Sequence, residues 1–404
     1  MNKDQGLQKL SWVTSHMPIL QRINERFVQE KPFKGQTVAI CIHLEAKTAR
    51  LAEVIKNGGA RVLLAGSNPL STQDDVALAI QEKGVEVFAK HACTEAEYWG
   101  FISQMLEQKP TIILDDGGDV VHQLHEKYPS LLPNILGGCE ETTTGVVRLR
   151  TMETAGILKI PMLSINDARC KYLFDNRYGT GQSVWTAIMQ TTNLIIAGKT
   201  VVVAGYGWCG KGVALRAKAL GAKVIITEID PVKASEAHMD GFEVMPMQTA
   251  CGRGDIYVTV TGCTEVITTR HFENLKEGAI LTNAGHFNVE VDYEALEKYA
   301  ISKKVVRNNI MEYILPSGKH INLIAEGRLV NLASGDGHPA EIMDTSFALQ
   351  ALCAENLIKT KRIPGLYDVP KEIDDQVARI KLKTLGIEID TLTTSQRSYL
   401  SSTS

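Results

Sequence analysis

The stretch Lys199-Thr200-Val201-Val202-Val203-Ala204-Gly205-Tyr206-Gly207-Trp208-Cys209-Gly210 decides how the second half of the chain is read. Its apolar run makes a strand that can be buried on both faces, and a G-x-G-x-x-G follows at once. A helix is expected over 212–220, and Lys223-Val224-Ile225-Ile226-Thr227 reads as the next strand. That strand ends against Glu228, 23 positions after Gly205. The glycine pattern alone is a weak signal; between this strand and this helix, with this acid, it is a dinucleotide-binding fingerprint. Gly205 permits the tight turn, and Gly207 lets the backbone approach a pyrophosphate seated on the helix N-terminus. Gly210 lets helix and strand pack closely. Glu228 is expected to accept from the adenosine ribose hydroxyls, and its charge would repel a 2′-phosphate, so NAD is expected rather than NADP. Tyr206 and Trp208 read mainly as packing residues, with Trp208 counted in the cofactor-binding turn.

Outward from this motif the chain alternates. Strands are expected at Thr37-Val38-Ala39-Ile40-Cys41-Ile42, Arg61-Val62-Leu63-Leu64-Ala65, Val85-Glu86-Val87-Phe88 and Thr111-Ile112-Ile113-Leu114. Helices are expected at 46–57, 72–83 and 95–108, after a polar helical N-terminus. Beyond the fingerprint, strands are expected at Glu243-Val244, Ile256-Tyr257-Val258-Thr259-Val260 and Ala279-Ile280-Leu281-Thr282. Continuous apolar strands separated by helices imply parallel sheets covered on both faces. The expected class is α/β, with two doubly wound parallel-sheet domains plus a C-terminal helical return and tail. The boundaries are set at 1–180 for a substrate domain, 181–337 for a Rossmann NAD domain, 338–370 for a helical return and 371–404 for a C-terminal helix and tail. Residues 343–357 and 373–385 read as helices, and the Ser/Thr-rich tail from Thr391 is expected to be mobile at its end.

Length and composition agree. At about 150 residues per domain, 404 residues hold two or three. With 43 basic and 46 acidic residues the net charge is −3, which gives no electrostatic drive toward nucleic acid or anionic membrane. The longest charge-free stretch, 178–198, contains Gln182, Gln190 and Asn193 and reads as a buried helix rather than a membrane span. No signal peptide is expected. The eight cysteines show neither a C-x-x-C pair nor zinc spacing, so no metal is expected and a reducing cytoplasm fits.

Other segments carry chemistry at strand exits. Asp115-Asp116-Gly117-Gly118-Asp119 could do acid–base work or bind a cation, or be solvated turn charges. His43-Leu44-Glu45-Ala46-Lys47 places three ionisable groups at alternate positions, either as ligand contacts or as a charge pair at a helix start. Glu140-Glu141-Thr142-Thr143-Thr144-Gly145 precedes a helix over 146–152 and could simply cap it. His286 and His338 lie in glycine-bearing loops; Lys171, Asp175 and Asn176 are ordinary in isolation.

Taken together, these segments resemble the S-adenosylhomocysteine hydrolase family. Added matching runs are Ser67-Asn68-Pro69-Leu70-Ser71-Thr72-Gln73-Asp74, Thr227-Glu228-Ile229-Asp230 and Ala325-Glu326-Gly327-Arg328-Leu329-Val330-Asn331-Leu332. The resemblance covers nearly the whole chain in order. It implies reversible cleavage of a nucleosyl-homocysteine thioether by a cycle of 3′-oxidation, elimination, water addition and reduction, with NAD retained throughout. By resemblance, Lys171 and Asp175 engage the 3′- and 2′-hydroxyls, with Lys171 the base, which requires a lowered pKa. Glu141 holds the 2′-hydroxyl. Asp116 and His43 handle the C4′ proton and the 5′ leaving group or water, and His286 is the catalytic histidine near the ribose. Asn176 sits beside the nicotinamide, and Thr142, Thr143 and Thr144 bind its ribose. Thr261, Asn283 and Asn331 are further cofactor contacts. His338 is a purine-side histidine by the access gate, and closure occurs around Thr180 and Asp336. The family's homotetramers imply a homo-oligomer acting on a small molecule.

The chain departs from the widespread form of the family. That form has Thr and Glu where this chain has Glu45 and Lys47, groups that face the purine beside Thr48. A Lys can only donate and an ionised Glu can only accept. Lys47 to O6 and Glu45 to N1–H would suit hypoxanthine, which implies S-inosyl-homocysteine; an internal Glu45–Lys47 pair with adenine held otherwise is the alternative. Thr180 stands where the common form has Cys. The usual Lys/Tyr-bearing C-terminal tail is missing, so the family's contact into a neighbour's NAD site is not expected in its usual form. An NAD dehydrogenase with net hydride transfer, and a non-catalytic regulatory relative, are the other classes. Retention of Asp116, Glu141, Lys171, Asp175 and His286 argues against the second.

Overall fold

The computed structural model describes residues 3–402. Two sheets organise them. The first is built from β1 (Thr37–Cys41), β2 (Arg61–Ala65), β3 (Glu86–Phe88), β4 (Ile112–Asp115), β5 (Gly137–Glu140) and β6 (Pro161–Ser164), and from a late strand, β15 (Gly365–Asp368). Its order is β15-β6-β5-β4-β1-β2-β3, and every pairing is parallel. The order reverses beside β1, so the exits of β1 and β4 face one crevice, the usual ligand position in an open α/β sheet.

The second sheet contains β7 (Thr200–Ala204), β8 (Lys223–Thr227), β9 (Glu243–Val244), β10 (Ile256–Thr259), β11 (Ala279–Asn283), β12 (Ser302–Arg307), β13 (Ile310–Ile314) and β14 (His320–Ile324). Its order is β12-β13-β14-β11-β10-β7-β8-β9. The parallel part matches the expected winding, but β13 runs antiparallel between β12 and β14, so one edge of this sheet is mixed. Short turns allow a hairpin there, whereas the parallel part needs helical crossovers.

Central strands are buried on both faces because they are runs of Val, Ile and Leu flanked by helices. The strands that periodicity missed carry other residues. β5 is Gly-Gly-Cys-Glu, and a Cβ at Gly138 would lie 2.8 Å from the Ile113 carbonyl oxygen, so closeness to β4 excludes the residues that usually mark a strand.

The fingerprint helix begins at Trp208 and runs to Ala219, four residues earlier than the expected start at 212. The helix Ala340–Lys359 leaves the second sheet and returns to the first, where most of its residues are buried. The tail from Thr391 carries a helix, Thr394–Ser401, started by a Thr393/Gln396 capping box; residues 403 and 404 lie outside the described residues.

Candidate active site

One cavity of about 1780 Å³ opens between the carboxyl ends of the two sheets. It is lined by all the expected site residues except Gly210 and Asn283. Gly210 acts from behind: a Cβ there would lie 2.0 Å from the Gly205 carbonyl oxygen, so only glycine lets the helix approach the turn. Asn283 lies just behind the lining. Its amide donates to the carbonyls of Gly285 (3.1 Å), Phe287 (2.8 Å) and Gly327 (2.9 Å), and its Oδ1 accepts from Gly285 N (2.8 Å) and the Thr259 hydroxyl (3.1 Å). These bonds shape the loop that carries His286.

On the first sheet, Asp116 follows β4 and His43 follows β1. His43 Nε2 is 3.5 Å from Asp116 Oδ2, and Ser67 donates to the same oxygen at 3.1 Å. His43 Nδ1 contacts Ser71 Oγ at 2.6 Å. Burial pushes the His43 pKa down to about 4 despite Asp116, so the ring is neutral at physiological pH. The His43 and His286 rings lie 6.0 Å apart. Gly117 is at φ +106°, and a Cβ there would come within 3.0 Å of His286 Nε2, so the turn after Asp116 is shaped to leave room for that ring. One ligand atom each of His43, Asp116 and His286 lies within 4.8 Å of the others, a spacing that a metal ion could also use.

Lys171, Asp175 and Asn176 sit where a short helix, Arg169–Lys171, passes into a π-helical turn, Tyr172–Gly179; such turns recur at functional sites. Lys171 Nζ donates to Asn176 Oδ1 at 2.8 Å and lies 3.4 Å from Asp175 and 3.7 Å from Glu141. Burial alone would lower its pKa, but the Asp175 and Glu141 carboxylates outweigh it and hold the amine above its ordinary value. The expected lowered pKa of Lys171 is therefore reversed by its two carboxylate neighbours. Burial would raise Asp175, yet Lys171 and His338 hold it below the usual carboxylate range. Glu141 is pushed up to about 7 by burial, with Lys171 pulling the other way. Ser346 donates to one Glu141 oxygen, and Gln350 Nε2 to the other at 2.6 Å.

Glu45 and Lys47 form the pair that the alternative reading described. Lys47 Nζ lies 2.9 Å from Glu45 Oε2 and donates to the Asp336 carbonyl at 2.9 Å. The Glu45 carboxylate also caps the helix Ala46–Asn57, accepting from Lys47 N at 3.0 Å. Thr48 donates to the His43 carbonyl at 2.6 Å. His338 is held between two residues: Nδ1 lies 2.6 Å from Asp175 Oδ1, and Nε2 lies 3.2 Å from Thr180 Oγ1.

The opposite wall fits a dinucleotide. A Cβ at Gly207 would face open space, at the N-terminus of a twelve-residue helix. The buried Asn331 Oδ1 has no hydrogen-bond partner among the described residues and lines the cavity. Glu228 accepts from the amides of Tyr206 (2.7 Å), Ile229 (2.7 Å) and Asp230 (3.1 Å), leaving room for about one further donor rather than several. Trp208 does pack, stacking on Tyr172 at 4.9 Å, with Lys211 Nζ 4.4 Å above its ring. Thr142 caps the helix Thr143–Thr154, and Thr143 donates to Asn166 at 3.0 Å.

Several supporting residues escaped the sequence reading. Asp374 accepts from the amides of Arg169 (3.0 Å) and Cys170 (2.8 Å), fixing the turn that presents Lys171. Glu290 accepts from Thr261 N (2.9 Å), Thr261 Oγ1 (2.8 Å) and Gly262 N (2.8 Å). Glu140 ties the two ligand regions together, accepting from Gly117 N and Thr142 N at 2.9 Å each. Only Glu140 carried a signal, through its place before three threonines.

Comparison with known proteins completes the description. The family model "S-adenosyl-L-homocysteine hydrolase" matches residues 1–129, and "S-adenosyl-L-homocysteine hydrolase, NAD binding domain" matches residues 176–337. The S-inosyl-L-homocysteine hydrolase of Methanosarcina acetivorans is 54% identical, covering 98% of this chain and 97% of that protein. The protein of the same name from Methanocaldococcus jannaschii is 55% identical over 98% of this chain and 96% of its own length. The adenosylhomocysteinase of Aquifex aeolicus is 52% identical, covering 99% and 96%.

Proposed function

This chain belongs to the S-adenosyl-L-homocysteine hydrolase family, and we propose that it prefers the inosyl thioether to the adenosyl one. It is an NAD-dependent hydrolase that splits a nucleosyl-L-homocysteine reversibly into nucleoside and homocysteine. The carrying observation for the purine is that Glu45 and Lys47, although paired internally at 2.9 Å, both line the cavity. They offer a donor and an acceptor side by side, as a 6-oxo, N1–H edge requires. Adenine could be read by the opposite assignment, the 6-amino group on Glu45 and N1 on Lys47, or be held by backbone groups while the pair stays internal. That second reading is favoured by the 52% identity to an adenosylhomocysteinase.

NAD, held along the Gly205–Gly210 turn and Glu228, would supply reversible hydride chemistry at C3′. The chain's own groups then divide the remaining work. Asp175 and Glu141 accept from the ribose hydroxyls, which weakens their hold on the Lys171 proton. As the site closes and sheds water the amine is lowered further, Lys171 releases its proton to the departing water, and the neutral amine then takes the 3′-hydroxyl proton. Neutral His43, with Asp116 beside it, moves the C4′ proton and protonates the leaving thiolate; His286 faces the same carbon. Thr142, Thr143, Thr144, Asn176, Thr261 and Asn331 orient the cofactor. We further propose a cytoplasmic homo-oligomer, a tetramer by family resemblance; the eight free cysteines agree with a reducing compartment.

Steady-state kinetics on the two thioethers tests the purine assignment. The inosyl compound should have the higher kcat/KM, and the double change Glu45→Thr with Lys47→Glu should reverse the ratio by about 10² or more. Equal or better efficiency of the wild type on the adenosyl compound rejects it.

A further inference from the structure

Lys47 touches more than Glu45. Its ammonium is buried and has three N–H donors. One meets Glu45 Oε2, another the main-chain carbonyl of Asp336, both at 2.9 Å. Asp336 lies in the segment that leaves the second sheet and leads into Ala340–Lys359, the helix that returns to the first. That segment is pinned at two further points. Gly337 N donates to the Asn331 carbonyl at 2.8 Å, and His338 Nδ1 lies 2.6 Å from Asp175. Residues 336–338 thus bridge the purine-edge lysine and the sugar-edge aspartate. One ammonium proton remains, and Lys47 lines the cavity.

We propose that Lys47 is a specificity-determining latch: it reads a 6-oxo group with its free proton while holding the Asp336 carbonyl, so purine identity sets how firmly 336–338 closes over the sugar. This rests on the inosyl reading above. A 6-oxopurine completes the ammonium's third bond and leaves the other two intact. A 6-aminopurine presents N–H donors at that position to a group that can only donate, so the ammonium must turn toward the N1 acceptor and release the carbonyl. Discrimination then falls on closure, and so on kcat, more than on KM.

Hydrogen exchange of the 334–338 amides in the NAD-bound enzyme tests the latch. Lys47→Met should speed exchange about tenfold without any thioether, the scale of one lost hydrogen bond to a charged group. Lys47→Arg, which keeps donors and charge, should restore most of the protection and exclude a folding defect. In the wild type the inosyl thioether should slow exchange further and the adenosyl thioether should not. In Lys47→Met the two should act alike, and kcat on the inosyl compound should drop more than KM rises. If ligand-free Lys47→Met exchanges like the wild type, the latch is wrong whichever purine is preferred. If the ligand-free difference appears but both thioethers protect equally in the wild type, the purine reading fails, and with it the coupling.

Discussion

The two walls of the cleft are built from different materials. The wall on the second sheet is mostly backbone: Gly205, Gly207 and Gly210, the amides of a helix start, and a glutamate, Glu228, already gripped by three main-chain N–H groups. The wall on the first sheet is a cluster of ionisable side chains, with Lys171, Asp175, Glu141 and Asp116 buried and His43 close behind. Burial penalises the charged forms and outweighs the opposite charges nearby, which is why Glu141 rises to about 7 and His43 falls to about 4. The cofactor wall works by shape and should fail by steric change. The substrate wall works through protonation and should fail by charge and pH.

Lys171→Met separates the walls most sharply. Turnover should fall by about 10³–10⁴, the size of a lost proton-transfer group, while chromatography of the released nucleotide still finds one NAD per chain. Loss of NAD together with activity would mean that the two walls are not independent. Gly210→Ala attacks the other side. The new Cβ meets the Gly205 carbonyl oxygen at 2.0 Å. Overpacking of that kind costs about 1–3 kcal/mol, so the NAD Kd measured by titration should rise about tenfold to a hundredfold. Activity should return at excess NAD; an unchanged Kd would show that the turn does not depend on that close approach.

The mildest test is pH. Glu141 must be ionised to accept from a hydroxyl, and burial raises its pKa to about 7. Wild-type kcat/KM should therefore lose about tenfold per unit below pH 7, and Glu141→Gln should lack that limb and reach a lower plateau. A wild-type profile flat from about pH 5.5 to 7.5 would contradict this account. For stability, a carboxyl raised in the fold holds its proton more tightly there than in the unfolded chain. Its contribution is full below the ordinary 4.5 and is lost as pH rises through about 7. Melting temperatures of Glu141→Gln should accordingly improve relative to the wild type between those limits.

The run from Thr200 to Glu228 was legible because a strand, a turn and a helix that cradle a phosphate are contiguous in the chain. The apolar strands β1, β2, β4, β7 and β8 were legible for the same local reason. β5 was not, since closeness to its neighbour demanded glycines. Asp374 was not either, because it meets the Arg169 amide across a separation of 205 residues, and nothing in local pattern marks such a partner.

Order along the chain determined the two α/β halves, the dinucleotide turn with its acid, and the identity of the groups gathered at strand exits. Those features depend on neighbours within one or two elements. Only the tertiary structure decided that Lys171 rests charged between two carboxylates and that Lys47 holds Glu45 and Asp336 at once. Protonation and pairing are set by distances of about 3 to 4 Å, some between neighbours and some between groups far apart in sequence, such as Lys171 with Glu141 and Lys47 with Asp336, and in a poorly screened interior those distances govern the energy.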